Sequence, residues 1–173
     1  MMQKFWMTIA TWILARIDSS KPKTVAFYEA LAKHMVSIAI DPVILRHNPV
    51  GKLSPIEVWL SQRGPNEAYP GEWHCPGSLV RPGERESAVF ERVSNKELHA
   101  RISDFKFCGY YFHNERRGPF LIMVFLVQIE GEPKNGKWWP VNDLPQNIIE
   151  HHLQNSIPLA LRQMAIQEVI GPK

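Results

Sequence analysis

The stretch that decides the fold is GEWHCPGSLVRPGERESAVFERVSNKEL, residues 71–98. It contains the tripeptide Cys75-Pro76-Gly77 and then the turn Pro82-Gly83-Glu84. The sequence after this turn is typical of a helix, which we expect over residues 84–98. Gly77 and Gly83 keep the two turns flexible, because glycine adopts backbone angles that other residues adopt only at a cost. The assignment of elements in the remaining chain starts from these two turns and this helix.

The composition predicts one globular domain with a short accessory element. The chain has 173 residues, 45% of them apolar and 21% charged, and a formal net charge of +3. No run of lysine and arginine interleaves with aromatic residues, so no nucleic acid polymer is expected as a partner. Cys75 and Cys108 form no metal-thiolate spacing. Two free thiols favour a reducing compartment, and we expect a cytoplasmic protein.

The N-terminal segment KFWMTIATWILARI, residues 4–17, is unusually apolar. It is shorter than the roughly 20 residues that span a bilayer, so stable membrane insertion is not expected. As a helix it has one narrow polar stripe, which is typical of a helix that packs on its own domain or on a second subunit. Attachment to a membrane surface and a cleaved signal remain alternatives. We predict a helical extension over residues 1–34 and a second, larger domain over residues 35–173.

The larger domain alternates strands and helices along the chain. A second helix is expected over residues 24–34. Strands are expected over 36–48, 56–64, 105–112 and 120–130, with a short one within 136–145, a loop at 113–119 and a closing helix over 147–169. Asp41-Pro42 should bend or interrupt the first strand, and Pro158 should break the closing helix. His151-His152 has no nearby carboxylate in the sequence, and we interpret this pair as helix surface.

Residues 35–165 resemble the Nudix domain, whose box has the pattern G-x5-E-x7-R-E-U-x-E-E-x-G-U, with U a bulky apolar residue. Four features match it in the expected order: the strand WLSQRG at 59–64, the elements from Trp73 to Glu84, the helix, and KWWPVNDLP at 137–145. The resemblance implies an α/β (α+β) fold. This would be a Nudix-like α/β/α sandwich with a mixed sheet, preceded by the helical N-terminal extension.

Within the box, this chain keeps some residues of the pattern and replaces others. Glu84 and Arg92 match the first glutamate and the arginine. Glu97 is the one glutamate retained from the later cluster. The replacements are Ser78 for the first glycine, Val93 and Lys96 for two glutamates, and His99 for the last glycine.

These replacements bear on the chemistry that the resemblance implies. Hydrolysis of a diphosphate needs Mg²⁺ or Mn²⁺ held by several carboxylate oxygens. Residues three or four apart share a helix face, so that face offers Val93, Lys96 and Glu97. A lysine ammonium there repels a metal ion, and family-type metal binding is compromised.

Candidate site residues follow from the resemblance. Glu97, Glu84 and Arg92 are the catalytic candidates, and Glu97 with Glu84 would hold the Mg²⁺ or Mn²⁺ of an active enzyme. An acid from outside the box, such as Glu115, would be needed in addition. The ligand-binding candidates are Arg63, Lys96, Gly77, Ser78 and Glu115. Arg116-Arg117 could also meet a phosphate, although loop arginines are more often solvated.

Three functions remain open from the sequence. The first is a Nudix-family protein with a degenerate box, weak or inactive as a pyrophosphohydrolase, that binds a nucleotide-like or phosphorylated small molecule. The second is a divergent Nudix hydrolase that cleaves a nucleoside diphosphate derivative with Mg²⁺ or Mn²⁺. The third is a structural or interaction protein with a vestigial cleft, in which the N-terminal helix builds a homodimer.

Overall fold

The elements of the fold come from a computed structural model, which describes residues 2–18, 24–48, 55–115 and 117–170. The helices are α1 (Met2–Leu14), α2 (Val25–Ala32), α3 (Glu86–Val93) and α4 (Ile157–Ile170); a π-helical turn follows α3 (Ser94–Leu98) and another precedes α4 (His152–Ser156). The strands are β1 (Ser37–His47), β2 (Ile56–Gln62), β3 (Trp73–His74), β4 (Ser78–Leu79), β5 (Arg101–Glu115), β6 (Gly118–Glu130) and β7 (Gly136–Pro140).

The strands form one mixed sheet in the order β3-β2-β1-β6-β5, with β4 paired to β1 and β7 paired to β2. The central pair is parallel, since β1 and β6 align from Ser37 opposite Phe120 to Ile44 opposite Val127. The other neighbouring pairs are antiparallel. Burial of both faces explains why the middle of β6 is almost continuously apolar.

Asp41-Pro42 does not interrupt β1, although interruption was one of the two predicted outcomes. On the edge away from β6, β1 pairs with β4 at Ala39 and Ile40 and with β2 only from Leu45 onward. Pro42 lies between these two partners. A proline, which has no backbone N–H, is tolerated there because β1 has no partner strand on that edge between Ile40 and Leu45. The strand therefore passes through the proline with Asp41 buried beside it.

Helices cover both faces of the sheet. On one face α3 places Val89, Phe90 and Val93 against Ile40 and Phe125. On the other face, Ile157 and Ala160 of α4 join a cluster that includes Val43, Val124 and Leu126. The predicted α/β/α sandwich with a mixed sheet is confirmed.

The closing helix is continuous through Pro158, where a break was expected. The π-helical turn His152–Ser156 leads directly into α4. A π-helical turn shifts the hydrogen-bond register by one residue, which accommodates a proline that cannot donate. The same turn rotates His152 and Ser156 inward, and both are buried.

The loop expected at 113–119 is mostly strand. β5 runs to Glu115 and β6 begins at Gly118, so the two form a long hairpin with a short connection. Arg116 lies outside the described residues.

The predicted N-terminal helix is present as α1, and it buries none of its residues. Phe5, Trp6 and Trp12 are each about 60% exposed. Among the described residues, no helix is long and apolar enough to cross a membrane. The division at residue 34, and the packing or dimerisation role of the extension, stay predictions.

The start of β6 gives the first test of the fold. Gly118 has a positive φ of 130°, and a Cβ at this position would overlap the Ala32 carbonyl at the end of α2. We expect Gly118→Ala to lower the free energy of unfolding by about 3 kcal/mol or more, since strain and overlap act together. Denaturant unfolding measures the change.

Gly131→Ala is the matched control. Gly131 also has a positive φ, of 89°, but a Cβ added there would have no neighbouring atom within 4 Å. Only the backbone strain of about 1 kcal/mol should remain. Equal losses in both variants would contradict the packing of α2 on β6.

Candidate active site

The first glutamate and the arginine of the box form a brace beneath the turn. Arg92 donates to Glu84 Oε2 at 2.7 Å, to the Leu79 carbonyl at 2.8 Å and to Ser78 Oγ at 3.2 Å. Glu84 Oε2 also accepts the Arg81 N–H at 2.8 Å. The Arg92 side chain is 11% exposed. Because Arg92 bonds to Ser78, Leu79 and Glu84 together, the brace ties β4 and the turn to α3.

The metal-binding face implied by the resemblance is not formed by these residues. Val93 is fully buried in the core, and Lys96 is exposed. The helix changes from α to π at Ser94, so Val93 and Lys96 do not share one face. Glu84 Oε2 is engaged by Arg92, so the box offers few free carboxylate oxygens for the Mg²⁺ or Mn²⁺ that Nudix chemistry implies.

Glu97 is a half-buried carboxylate of the box and lies beside Gly77. Its Oε2 accepts the Gly77 N–H at 3.2 Å. Burial raises the pKa of Glu97 to about 7, while the Gly77 N–H and the positive charge of Arg63 oppose the shift. A carboxyl group that titrates near neutral pH can exchange a proton under ordinary conditions.

Gly77 connects Glu97 to a second carboxylate, Asp41 of β1. A Cβ at residue 77 would lie 2.8 Å from Asp41 Oδ1 and 2.9 Å from the Ile40 carbonyl oxygen. Only glycine lets the chain approach β1 this closely. The box helix and β1 therefore meet at Gly77.

Asp41 is the centre of a polar cluster with the start of the closing helix. Ser156 Oγ donates to Asp41 Oδ2 at 2.8 Å, and His152 Nδ1 lies 3.2 Å from the same oxygen. Burial alone would raise the pKa of Asp41, but His152, His151 and Ser156 hold it below its ordinary value. His151-His152 is thus not helix surface, as the sequence suggested. The carboxylate that supports it is far away in the chain, on the first strand of the sheet.

Neutral imidazoles and a tyrosine complete the cluster. Tyr111 OH lies 2.9 Å from both His151 Nδ1 and Ser156 Oγ. Burial, and then the charge of His152, lowers the pKa of His151 to about 3. Burial, and then the charge of Arg63, lowers the pKa of His74 to about 3 as well. Both rings are neutral at neutral pH and offer lone pairs.

The remaining ligand-binding candidates divide into two groups. Arg63 is 26% exposed, and its NH1 donates to Glu67 at 3.3 Å. Its positive charge lowers the pKa values of Glu97, His74 and His151, so Arg63 lies near all three.

Glu115 is instead engaged, because it accepts hydrogen bonds from Tyr69 OH at 2.6 Å and from Arg117. Lys96 is exposed and Gly77 contributes its N–H to Glu97.

A separate hollow of about 800 Å³ lies between α3 and β5, where Phe90, Asn95 and Ile102 are among its lining residues. None of the predicted site residues lines it. We therefore assign the candidate site to the group of polar residues around Gly77.

The brace gives a prediction on stability. Arg92→Lys keeps the charge but cannot reproduce three hydrogen bonds with a single ammonium. We expect the free energy of unfolding to fall by about 2–4 kcal/mol in denaturant titrations. Arg101→Lys is the control, since Arg101 pairs with Glu130 at a site where the two side chains are 76% and 60% exposed. Its effect should stay below about 0.5 kcal/mol, and a similar loss in both variants would contradict the brace.

Glu97 gives a prediction on pH dependence. Its pKa is raised from 4.5 to about 7 in the folded protein, so the folded state keeps the proton that the unfolded state releases first. This contribution to stability is full below about pH 4.5 and is lost as the pH rises through about 7. It amounts to at most about 3 kcal/mol before solvent screening.

Glu97→Gln should remove this dependence, so the variant gains stability relative to the wild type between about pH 5 and pH 8. Denaturant unfolding with EDTA present measures it without metal effects. Glu86→Gln, at an exposed position of α3, should leave the pH profile unchanged. Parallel profiles for the wild type and Glu97→Gln would refute the assignment.

Solved structures similar to this chain support the fold. A MutT Nudix hydrolase from Burkholderia pseudomallei aligns with a TM-score of 0.59 at 18% identity, over 73% of this chain and 97% of its own. The Nudix domain of Shewanella oneidensis NrtR, solved with ADP ribose, gives 0.59 at 20% identity over 82% and 99%. A C. elegans Ap4A hydrolase gives 0.54 at 22% identity over 77% and 98%. No family model and no curated protein matches the sequence. At these identities the likeness establishes the architecture, and the chain has the Nudix fold.

Proposed function

We propose that this chain is a Nudix-family protein with a degenerate box, weak or inactive as a metal-dependent pyrophosphohydrolase. Its cleft would bind a nucleotide-like or phosphorylated small molecule. The observation that carries the proposal is the loss of carboxylates along the box helix. Val93 is buried in the core, Lys96 is exposed, and Glu84 is paired with Arg92. This leaves Glu97, which lies beside Gly77, as the carboxylate of the pattern without a basic partner in the box.

Arg63 supports the binding of an anionic ligand. Its partner Glu67 is 53% exposed, and such an exposed pair exchanges readily for a better acceptor. A guanidinium can meet a phosphate with two parallel hydrogen bonds. The NrtR Nudix domain solved with ADP ribose supports a nucleotide-like ligand for this fold.

A divergent hydrolase is the second candidate, and Glu97 favours it. A buried carboxyl with a pKa of about 7, beside Arg63, fits the proton-transfer role of a general base. Such an enzyme would use Glu97 and Glu84 with Mg²⁺ or Mn²⁺ and needs an acid from outside the box. Asp41 is better placed than Glu115 to be that acid. It is close to Gly77, which binds Glu97, whereas Glu115 is engaged by Tyr69 and Arg117.

In the third candidate, an interaction protein, the exposed apolar helix α1 would build the homodimer.

Calorimetric titration separates these candidates. ADP ribose, ADP and inorganic pyrophosphate are titrated in EDTA and again with Mg²⁺ or Mn²⁺. We expect binding of at least one nucleotide without metal. Arg63→Ala should weaken it by about 10- to 100-fold, because charge-assisted hydrogen bonds are lost.

Arg101→Ala removes an equal charge at an exposed position and should change the affinity less than about twofold. Cleavage is followed with the same compounds, as AMP and ribose 5-phosphate from ADP ribose and as inorganic phosphate from ADP and pyrophosphate. Turnover that needs Mg²⁺ or Mn²⁺ and disappears in Glu97→Gln would replace the binding proposal with the hydrolase. If no compound binds and deletion of residues 1–20 dissociates a dimer, the interaction protein is the better explanation.

A further inference from the structure

We propose that Asp41, His151 and His152 form a binding site for a zinc-like divalent metal ion, outside the Nudix box. The three residues come from β1 and from the start of the closing helix. The site lies on the other side of Gly77 from Glu97, and it does not depend on the ligand proposed for the cleft.

The spacing of the donor atoms fits a small metal ion. One donor atom from each of the three residues lies within 4.8 Å of the other two. Asp41 Oδ2 and His152 Nδ1 are 3.2 Å apart. Two ligands on a tetrahedral zinc ion are separated by about 3.4 Å, since each bond is roughly 2.0–2.1 Å long. This pair already has the separation of two metal ligands.

The third ligand needs a small adjustment. His151 is half-buried, and its ring centroid is 4.1 Å from that of His152. Its Nδ1 is engaged with the Tyr111 hydroxyl at 2.9 Å. Rotation of the ring away from Tyr111 would bring a nitrogen lone pair to the ion.

The charge around Asp41 also favours a cation. The carboxylate is 5% exposed, and within the described residues no lysine or arginine lies at ion-pair distance from it. Its contacts are the Ser156 hydroxyl, the His152 imidazole and the backbone near Gly77. His152 is the one cationic partner that this buried carboxylate has among the described residues, and a divalent ion would bring a larger positive charge to it.

His152 can act as a ligand if its Nδ1 exchanges its present contacts, to Asp41 Oδ2 at 3.2 Å and to Ser156 Oγ at 3.4 Å, for the ion. It is 2% exposed, and its Nε2 has no hydrogen-bond partner among the described residues. The tautomer is therefore not fixed from that side, and Nδ1 can give up its proton to a metal. Two imidazoles and one carboxylate suit zinc and its neighbours in the first transition row, whereas Mg²⁺ prefers oxygen ligands alone.

The test uses the full chain without an affinity tag, stripped of metal with EDTA and then freed of the chelator. Zn²⁺ is titrated against a chromophoric chelator, and Co²⁺ is added separately as a spectroscopic probe. We expect one ion per chain and the visible absorption of four-coordinate Co²⁺. His151→Ala should weaken Zn²⁺ binding by at least about tenfold.

Two variants decide where the ion binds. His34→Ala removes an exposed imidazole after α2 and should leave binding within about twofold. Equal weakening by His34→Ala, or several weak ions per chain, would mean surface binding and overturn the proposal. Loss in Glu97→Gln with retention in His151→Ala would place the ion at the box and overturn it as well.

A measurement on the wild type covers the case in which His151→Ala does not fold. X-ray absorption of the zinc-loaded protein should show two imidazole ligands and one oxygen from a carboxylate. A shell of oxygen atoms alone, or no bound zinc after gel filtration, would refute the site.

Discussion

The central constraint of this structure is the change of partner along one edge of β1. The strand pairs with β6 on one side throughout Ser37–Ile44. On the other side its pairing with β4 ends at Ile40, and its pairing with β2 begins at Leu45. The gap removes the need for a backbone donor at Pro42, and it brings Gly77 against Asp41. In a mixed sheet, a polar group is best accommodated where the ladder is interrupted, because loops and helix ends can approach the backbone there.

The structure separates two roles that the Nudix pattern combines. Arg92 and Glu84 are engaged with each other and with the turn, so their role here is to hold β4 and α3 in place. The positions that would bind metal in the Nudix pattern, here Val93 and Lys96, do not belong to this hydrogen-bonded group. Val93 adds to the core, and Lys96 adds charge at the surface. A chain can therefore keep the turn-forming residues and the fold while the carboxylates of the helix are lost.

The sequence alone predicts those features of the fold that depend on local residue patterns. Helix and strand periodicity identified the sheet and the two helical layers, and the spacing from Trp73 to Glu84 identified the fold. Contacts between distant segments were not predictable in this way. His151 and His152 meet Asp41 only because β1 packs against the last helix, and a π-helical turn directs His152 inward. A buried aspartate in a β-branched strand was the available signal, since an unpaired charge there requires a partner elsewhere.

Gly77 makes the two carboxylates of the cleft interdependent. Its N–H holds Glu97, and its Cα lies against Asp41, so a shift of this one residue changes the surroundings of both. A cation beside Asp41 would favour the ionised form of Glu97, since opposite charges stabilise each other in a buried site. A negatively charged ligand at Arg63 would act in the opposite sense, because Arg63 stabilises that same ionised form. Metal and anionic ligand are therefore expected to influence each other's binding through Glu97, although neither needs to contact the other directly.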